Sequence, residues 1–415
     1  MHIGKGGQTG MARLRWLGAL FVCFSLSSLA QETSPPPAAS GQPAAPALTP
    51  PITLVPRSHE ERESRYRAEH HILLNVLVTD ASGKPVTGLK QENFTLLDDR
   101  QPQKVASFRA VKGSTALAPV HVILMLDTVN NTPRSIAYER KEIERFLAQS
   151  QGRLTYPTSI AILSGSGARV SQPSRDRDAL AGEFRNLAND VRTFDCAEEG
   201  SGSDQEFAPA IFGPAALSAL ETGSQLAPTG SCLNQRFQLS ISALNRLARE
   251  QMDVPGRAIL IWIGPGWPLL SGPGFRPDTA AIRRNFFDYL VELSTALREA
   301  QVTLDAVSSP DLFSIAEFRS DRDNAFFNGV PTEDQVTAGS LGLQVLAHQS
   351  GGQIQEESKD LAGDIAKSIA DAESYYVLSF DSAPATRPGE FHSLQVNVNK
   401  PGLTVRTNTA YYAQP

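Results

Sequence analysis

The sequence predicts an α/β fold in which a doubly wound, mostly parallel sheet is inserted between two stretches of antiparallel β-structure. Three observations carry this expectation. Continuous apolar runs at 120–126, 258–263 and 302–307 alternate with stretches of helical periodicity, as strands do when helices cover both of their faces. Before that region, Ile72, Leu74, Val76 and Val78 recur with period two, which is the period of a half-buried strand. After it, strand-type runs return, split by Pro/Gly turns.

The chain has 415 residues, more than one ordinary domain, and 41% of them are hydrophobic, enough for a sizeable core. The formal net charge of −6 is spread along the chain and gives no electrostatic argument for nucleic acid or an anionic membrane as partner; neither is expected. Residues 1–30 have the anatomy of a secretory signal: Arg13 and Arg15, an apolar stretch at 16–29, and the small-x-small site Ser28-Leu29-Ala30. Met11 is an alternative start. The apolar stretch falls short of the roughly 20 residues of a membrane span, and Val22 before Cys23 does not suit a lipidation site. The expected product is exported, periplasmic or extracellular, with no membrane insertion after signal removal. Cys196 and Cys232 then remain; an oxidising compartment favours a disulfide between them, two unpaired thiols being the alternative.

The elements follow in order. Residues 31–56 are a Pro-rich linker that stays extended, and 57–70 are a charged lead-in. The N-terminal β segment, 71–112, holds strands at 72–78, 94–97 and 105–111, with turns at 80–85 and 98–99. The α/β body, 118–372, holds strands at 120–126, 159–163, near 170, 258–263 and 302–307. Its helices are expected at 136–149, 178–187, 237–249, 279–300, 334–349 and 361–370, with a Gly/Ser-rich insertion at 191–235. The C-terminal β segment, 373–415, holds strands at 375–380, 393–398 and 405–412. Neither β segment makes a thick core alone, so the two are expected to pair in one β-sandwich that leaves no edge unpaired.

Four motifs resemble those of a known family. They are Val78-Thr79-Asp80-Ala81-Ser82-Gly83-Lys84-Pro85-Val86-Thr87-Gly88-Leu89 with Asn93-Phe94-Thr95-Leu96; Leu124-Met125-Leu126-Asp127; Leu346-Ala347-His348-Gln349-Ser350-Gly351-Gly352; and Tyr375-Tyr376-Val377-Leu378-Ser379-Phe380 with the tail from Phe391 to Tyr412. In this order over residues 70–413 they are similar to the von Willebrand factor A (vWA)-related proteins of Acidobacteria. The resemblance implies a vWA fold, export and a recognition role.

A vWA domain's metal-ion-dependent adhesion site carries D-x-S-x-S after the first strand, a Thr from a second loop and an Asp after the fourth strand, around Mg²⁺. Asp127 holds the first position here, Val129 stands at the first Ser, Asn131 at the second, and Gly264 where the later Asp would be. The implied site is degenerate, with Asp127 and Asn131 as its weak metal ligands and Mg²⁺ as the only cofactor in view. The alternative for Asp127 is structural, accepting hydrogen bonds from free N–H groups of the following helix. The expected binding surface takes in Thr128, Asn130, Gly264, Gly266 and Trp267. Trp267 is either an exposed aromatic anchor or a core residue under its loop.

No catalytic constellation emerges. None of the seven histidines falls in a nucleophile elbow, a zincin helix or a zinc-ribbon spacing. Ser164-Gly165-Ser166-Gly167 lacks the lysine of a phosphate loop, and Asp321-Arg322-Asp323-Asn324 lacks the Gly and Glu of a calcium loop. The expected function is therefore protein binding or adhesion rather than catalysis. A scaffold role docking through the β-sandwich is the alternative, and a cryptic hydrolase a third reading.

Overall fold

The computed structural model describes residues 70–115, 119–149, 152–189, 194, 230–267, 280–310, 326–336 and 338–415. The signal at 1–30, the linker at 31–56, nearly all of the lead-in, Cys196 and the side chain of Cys232 lie outside the described residues. The described residues open with β1 (His71–Thr79), β2 (Phe94–Asp98), β3 (Gln101–Gln103) and β4 (Ser107–Lys112). The α/β part follows as β5 (Val120–Asp127), α1 (Pro133–Ala148), β6 (Arg153–Ser164), β7 (Gly167–Val170), β8 (Ser174–Asp176), α2 (Arg177–Asn189) and α3 (Gly230–Met252). It continues with β9 (Arg257–Ile263), α4 (Ala280–Glu299), β10 (Val302–Val307), α5 (Leu343–Gln349), β11 (Ile354–Gln355) and α6 (Leu361–Ala370). The last strands are β12 (Ser374–Asp381), β13 (Glu390–Val398), β14 (Thr404–Arg406) and β15 (Ala410–Ala413).

The apolar runs become the centre of one sheet, in the order β11-β10-β9-β5-β6-β7, with β8 also on β6. Neighbours from β11 to β6 are parallel, and β7 and β8 are antiparallel to β6. The period-two rule of a strand sorts β5 between two cores. Val122, Leu124 and Leu126 face a cluster with Ile143 and Phe146 of α1, Leu180 and Phe184 of α2, and Leu361 and Ile365 of α6. Ile123 and Met125 face the other, with Leu244 of α3, Leu290 and Leu293 of α4, and Leu346 of α5. Helices thus cover both faces, which is why these strands read as unbroken apolar runs.

The two β segments pair with each other. Sheet β14-β1-β12-β4 and sheet β15-β13-β2-β3 each mix strands from both ends of the chain, with Ile72 opposite Phe380 and Leu74 opposite Leu378. Ile72, Leu74 and Val76 from the first sheet and Leu96, Leu394, Val396 and Tyr411 from the second meet in one apolar cluster. The Tyr376 hydroxyl donates to Val86 O at 2.8 Å and accepts from Leu89 N at 3.1 Å, so two of the sequence motifs are held against each other. In the first motif Asp80 Oδ1 accepts from Ser82 N and Lys84 N, at 2.8 and 3.1 Å, and closes the turn.

Several boundaries differ from expectation. The expected helix at 334–349 is two 3-10 turns, 333–335 and 338–341, followed by α5. Gly342 is extended (φ −62, ψ 147) and starts α5 afresh. The helix expected at 237–249 begins at Gly230, so the insertion at 191–235 ends before that residue. The run at 405–412 is two strands in different sheets, because Thr409 N leaves the ladder for Gln349 O, at 3.2 Å. β3 and β8, three residues each, are too short to show a period.

Gly351 and Gly352 are demanded by close approach. Gly351 has φ +81, and a Cβ on it would lie 2.7 Å from Thr407 Cα. A Cβ on Gly352 would run into the carbonyl oxygen of Leu304. The end of α5 is thereby wedged between β10 and the chain joining β14 to β15. Gly351→Ala is expected to cost about 1–2 kcal/mol for its left-handed backbone and about 1–3 kcal/mol more for the overpacking. Gly83→Ala, at φ +80 with nothing within 4 Å, is expected to incur only the backbone cost. Urea denaturation of both variants checks this; equal losses would mean that the close approach to Thr407 is not made.

Candidate functional site

β5 carries Asp127 to the carboxyl edge of the parallel sheet, beside β9. Strand order reverses there, with β6 and β7 running outward on one side and β10 and β11 on the other. Open α/β sheets hold their ligands in the crevice at such a reversal.

Asp127 is fully buried. Its Oδ1 accepts from Val129 N at 2.9 Å and Asn130 N at 3.0 Å. Its Oδ2 accepts from Asn130 Nδ2 at 2.8 Å and from the Trp262 indole Nε1 at 3.0 Å. A carboxylate has about four lone-pair positions, and here each meets a donor. Burial pushes the Asp127 pKa up, and the donors from Asn130, Trp262 and Val129 oppose that rise. The N–H groups of α1 are not among them. Thr132 caps that helix, accepting from Ser135 N at 3.2 Å. The structural expectation for Asp127 is corrected accordingly: loop amides and an indole satisfy it, not the helix terminus.

Asn131 turns away from any shared ligand position. Its Oδ1 accepts from Thr132 N at 3.0 Å, while its Nδ2 donates to Glu139 Oε2 at 2.6 Å and to Asp127 O at 3.3 Å. Glu139 Oε1 accepts from the Ser309 hydroxyl at 2.8 Å. Burial, reinforced by the charge of nearby Asp127, pushes the Glu139 pKa up to about 8 against the donors from Ser309 and Asn131. Glu139 is therefore largely neutral at pH 7.

The expected binding residues separate. Thr128 is buried and spends its backbone N–H and its hydroxyl on Leu163 O, at 3.1 and 2.6 Å. Asn130 is half-buried and also donates to Ser240 Oγ on α3, at 2.8 Å. Gly264 (φ +139) lies against Asp127, whose Cβ would be 2.9 Å from a Cβ placed there. Gly266 (φ +72) packs on Leu343. Trp267 is 2% exposed; its ring meets Trp262 edge-on at 5.4 Å, and its Nε1 donates to Leu341 O at 2.6 Å. The exposed-anchor reading of Trp267 is thus corrected. The Gly264-Pro265-Gly266 bend turns the indole into the core, where both its ring and its N–H are satisfied.

The same geometry tests the implied Mg²⁺ site. The four positions of Asp127 are taken by protein donors, Val129 has no oxygen to offer, the Asn131 oxygen is engaged, and no side chain fits at Gly264. These residues do not fit a Mg²⁺ ion, and Asp127 and Asn131 are corrected from metal ligands to members of a closed hydrogen-bond network.

Sequence reasoning missed Glu139, Ser240, Trp262 and Ser309. Two of them carried a signal. Glu139 lies on the apolar stripe of α1 with Ile136, Ile143 and Phe146, where a carboxyl needs partners. Trp262 lies in a strand buried on both faces, where its N–H needs an acceptor.

Two outcomes are expected. Trp262→Phe leaves Asp127 Oδ2 short of a donor and should destabilise the protein by about 1–3 kcal/mol; chemical unfolding with no loss would mean that the indole does not support the carboxylate. Glu139 has a folded pKa above its unfolded value, so the unfolded chain holds fewer protons between those values. Its contribution is complete below about pH 4.5 and lost as pH rises towards about 8. Glu139→Gln should flatten the wild-type decline in stability across that window, and an unchanged slope would rule Glu139 out as its source.

No family model matches the chain, and no curated protein does. Among solved structures it is similar to the human COPII-coat protein Sec24c, at 8% identity and TM-score 0.30, over 74% of this chain and 46% of that one. It is similar to the three N-terminal domains of the type V pili tip protein Mfa5 from Porphyromonas gingivalis, at 8% identity and TM-score 0.27, over 83% of this chain and 67% of that one. A third is the SpRpn10 VWA domain, at 14% identity and TM-score 0.20, over 49% of this chain and 96% of that one. The chain thus spans less than half the length of the Sec24c structure.

Proposed function

We propose that this chain is an exported binding protein, not an enzyme, whose vWA-type body recognises a protein partner without a metal ion, and that its two antiparallel sheets form a β-sandwich flanking that body. The observation that carries the reading is the reversal of strand order between β5 and β9 with Asp127 at its edge, held wholly by protein donors. A metal-dependent adhesion site uses the cation to draw an acidic partner; with that position closed, recognition passes to the surface around it. Arg134 at the start of α1 is exposed and Pro265 after β9 is half-buried, so both are open to a partner. Export, to the periplasm or beyond, rests on the leader-like residues 1–30, and no helix among the described residues is long and apolar enough to cross a membrane.

The test is capture of partners from an envelope extract of the source organism. The wild type is compared with Arg134→Glu/Pro265→Arg, with a form in which a Gly/Ser linker replaces residues 195–229, and with Lys90→Glu in the connection between β1 and β2 of the flanking sheets. The edge variant should lose about tenfold in affinity, ~1.4 kcal/mol, at an unchanged melting temperature, and added Mg²⁺ or chelator should make no difference. Capture unaffected by the edge variant but lost in Lys90→Glu would replace this reading with docking through the flanking sheets. Capture abolished by chelator would sink the metal-free mechanism.

A further inference from the structure

A second group of chemistry-bearing side chains lies away from that edge, in sheet β15-β13-β2-β3. Asp98 ends β2, and Asp99 begins the tight turn into β3, with φ +47 followed by Arg100 at φ +64. His392 comes from β13, 294 residues along the chain from Asp98. Its Nδ1 lies 3.1 Å from Asp98 Oδ1 and 3.2 Å from Asp99 Oδ2.

The remaining carboxylate oxygens are held from outside the group. The Tyr411 hydroxyl donates to Asp98 Oδ2 at 2.8 Å. Ser393 donates to Asp99 Oδ1 through its backbone N–H at 2.9 Å and its hydroxyl at 3.0 Å. The His392 ring stacks on Tyr411, with centroids 4.9 Å apart. Each carboxylate therefore has one oxygen fixed by a donor and the other turned to a single imidazole nitrogen. Outer partners orient metal ligands in this way.

An imidazole nitrogen facing two carboxylate oxygens needs positive charge between them. A proton offsets one of the two negative charges, whereas a divalent cation offsets both. Ligand atoms bound about 2.0–2.2 Å from an ion lie about 3.0–3.5 Å apart at neighbouring corners of its coordination shell, and the observed separations are of that length. His392 Nε2 is buried and makes no hydrogen bond among the described residues, so the ring's one polar engagement there is at Nδ1, where it meets both carboxylates through a proton or through a cation in its place. Asp99 is 51% exposed in its side chain and His392 17%, which gives an ion a path in and leaves room for completing waters.

We infer that Asp98, Asp99 and His392 form a binding site for a first-row divalent transition-metal ion, Zn²⁺ above all, that ties the N-terminal and C-terminal β segments together. The mixed nitrogen and oxygen donors favour such ions over Ca²⁺ and Mg²⁺, which prefer oxygen alone. The inference is independent of how the edge at β5 and β9 works.

The test is calorimetric titration of the purified, chelator-treated chain with Zn²⁺ and with Ca²⁺ at pH 7.5, alongside Asp99→Asn and His392→Gln. Asp99 is exposed, so its variant keeps the fold, which its melting temperature in chelator verifies. One Zn²⁺ per chain is expected, weakened about tenfold or more in each variant, and Co²⁺ should give a visible absorption band that both variants lose. Zn²⁺ failing to bind the wild type, binding both variants equally well, or binding no tighter than Ca²⁺ would overturn the site and leave a proton-bridged ion pair.

Discussion

A strand that is apolar on both faces has to be covered twice, and β12 imposes that requirement on the whole molecule. Tyr375 and Val377 enter the cluster of α1, α2 and α6, while Tyr376, Leu378 and Phe380 enter the cluster between the two antiparallel sheets. Burying a large apolar side chain is worth about 1.5–3 kcal/mol, so the body and its flanking sheets cannot separate without exposing several such groups at once. Arg257 seals the joint. Its guanidinium lies over the Tyr375 ring at 4.8 Å and donates to Asp371 O at 3.1 Å, while Asp371 takes the Arg406 guanidinium at 2.6 Å.

Asp127 on β5, Glu139 on α1 and Asp305 on β10 are fully buried in the α/β body, and each is accommodated differently. Asp127 is ringed by four donors. Glu139 is held near neutrality by its surroundings. Asp305 is pushed up to about 6 by burial and by the charge of Asp371, and its Oδ1 accepts from Gln353 N at 2.8 Å. An unmet buried charge costs several kcal/mol, which donors offset at Asp127 and a raised pKa offsets at Glu139 and Asp305.

Much of the fold was legible because burial leaves a periodic trace. The runs at 120–126, 258–263 and 302–307 stand within a residue of β5, β9 and β10, since strands covered on both faces have no polar side to blur them. The pairing of the two ends followed from the need to cover edges. The expected helix at 334–349 failed at Gly339 and Gly342, whose effect depends on Phe326 lying 2.7 Å from a would-be Cβ and on the restart of α5; neither is a property of the local sequence. The site was less legible. Asp127 was found by its place at the end of a strand, but its fourth donor comes from Trp262, 135 residues away, and only the fold brings the two together. Trp267 was open to two readings, an exposed anchor at the sheet edge or a core residue under its loop; it is the core residue, because the Gly264-Pro265-Gly266 bend turns it inward.

The pairing of β1 with β12 joins His71 to Asp381, residues 310 apart in the chain. Loop closure over such a length adds little to the equilibrium cost, since that cost grows only with the logarithm of the loop. Its weight falls on time. Contacts between distant residues form slowly, and β1 leaves the ribosome long before any of its partners in β12 and β14 exist. Through that interval the newborn chain carries an apolar strand with two open edges, the configuration most prone to pair with another copy. The α/β body fills the chain between the two ends, so its closure is what shortens the distance they have to search.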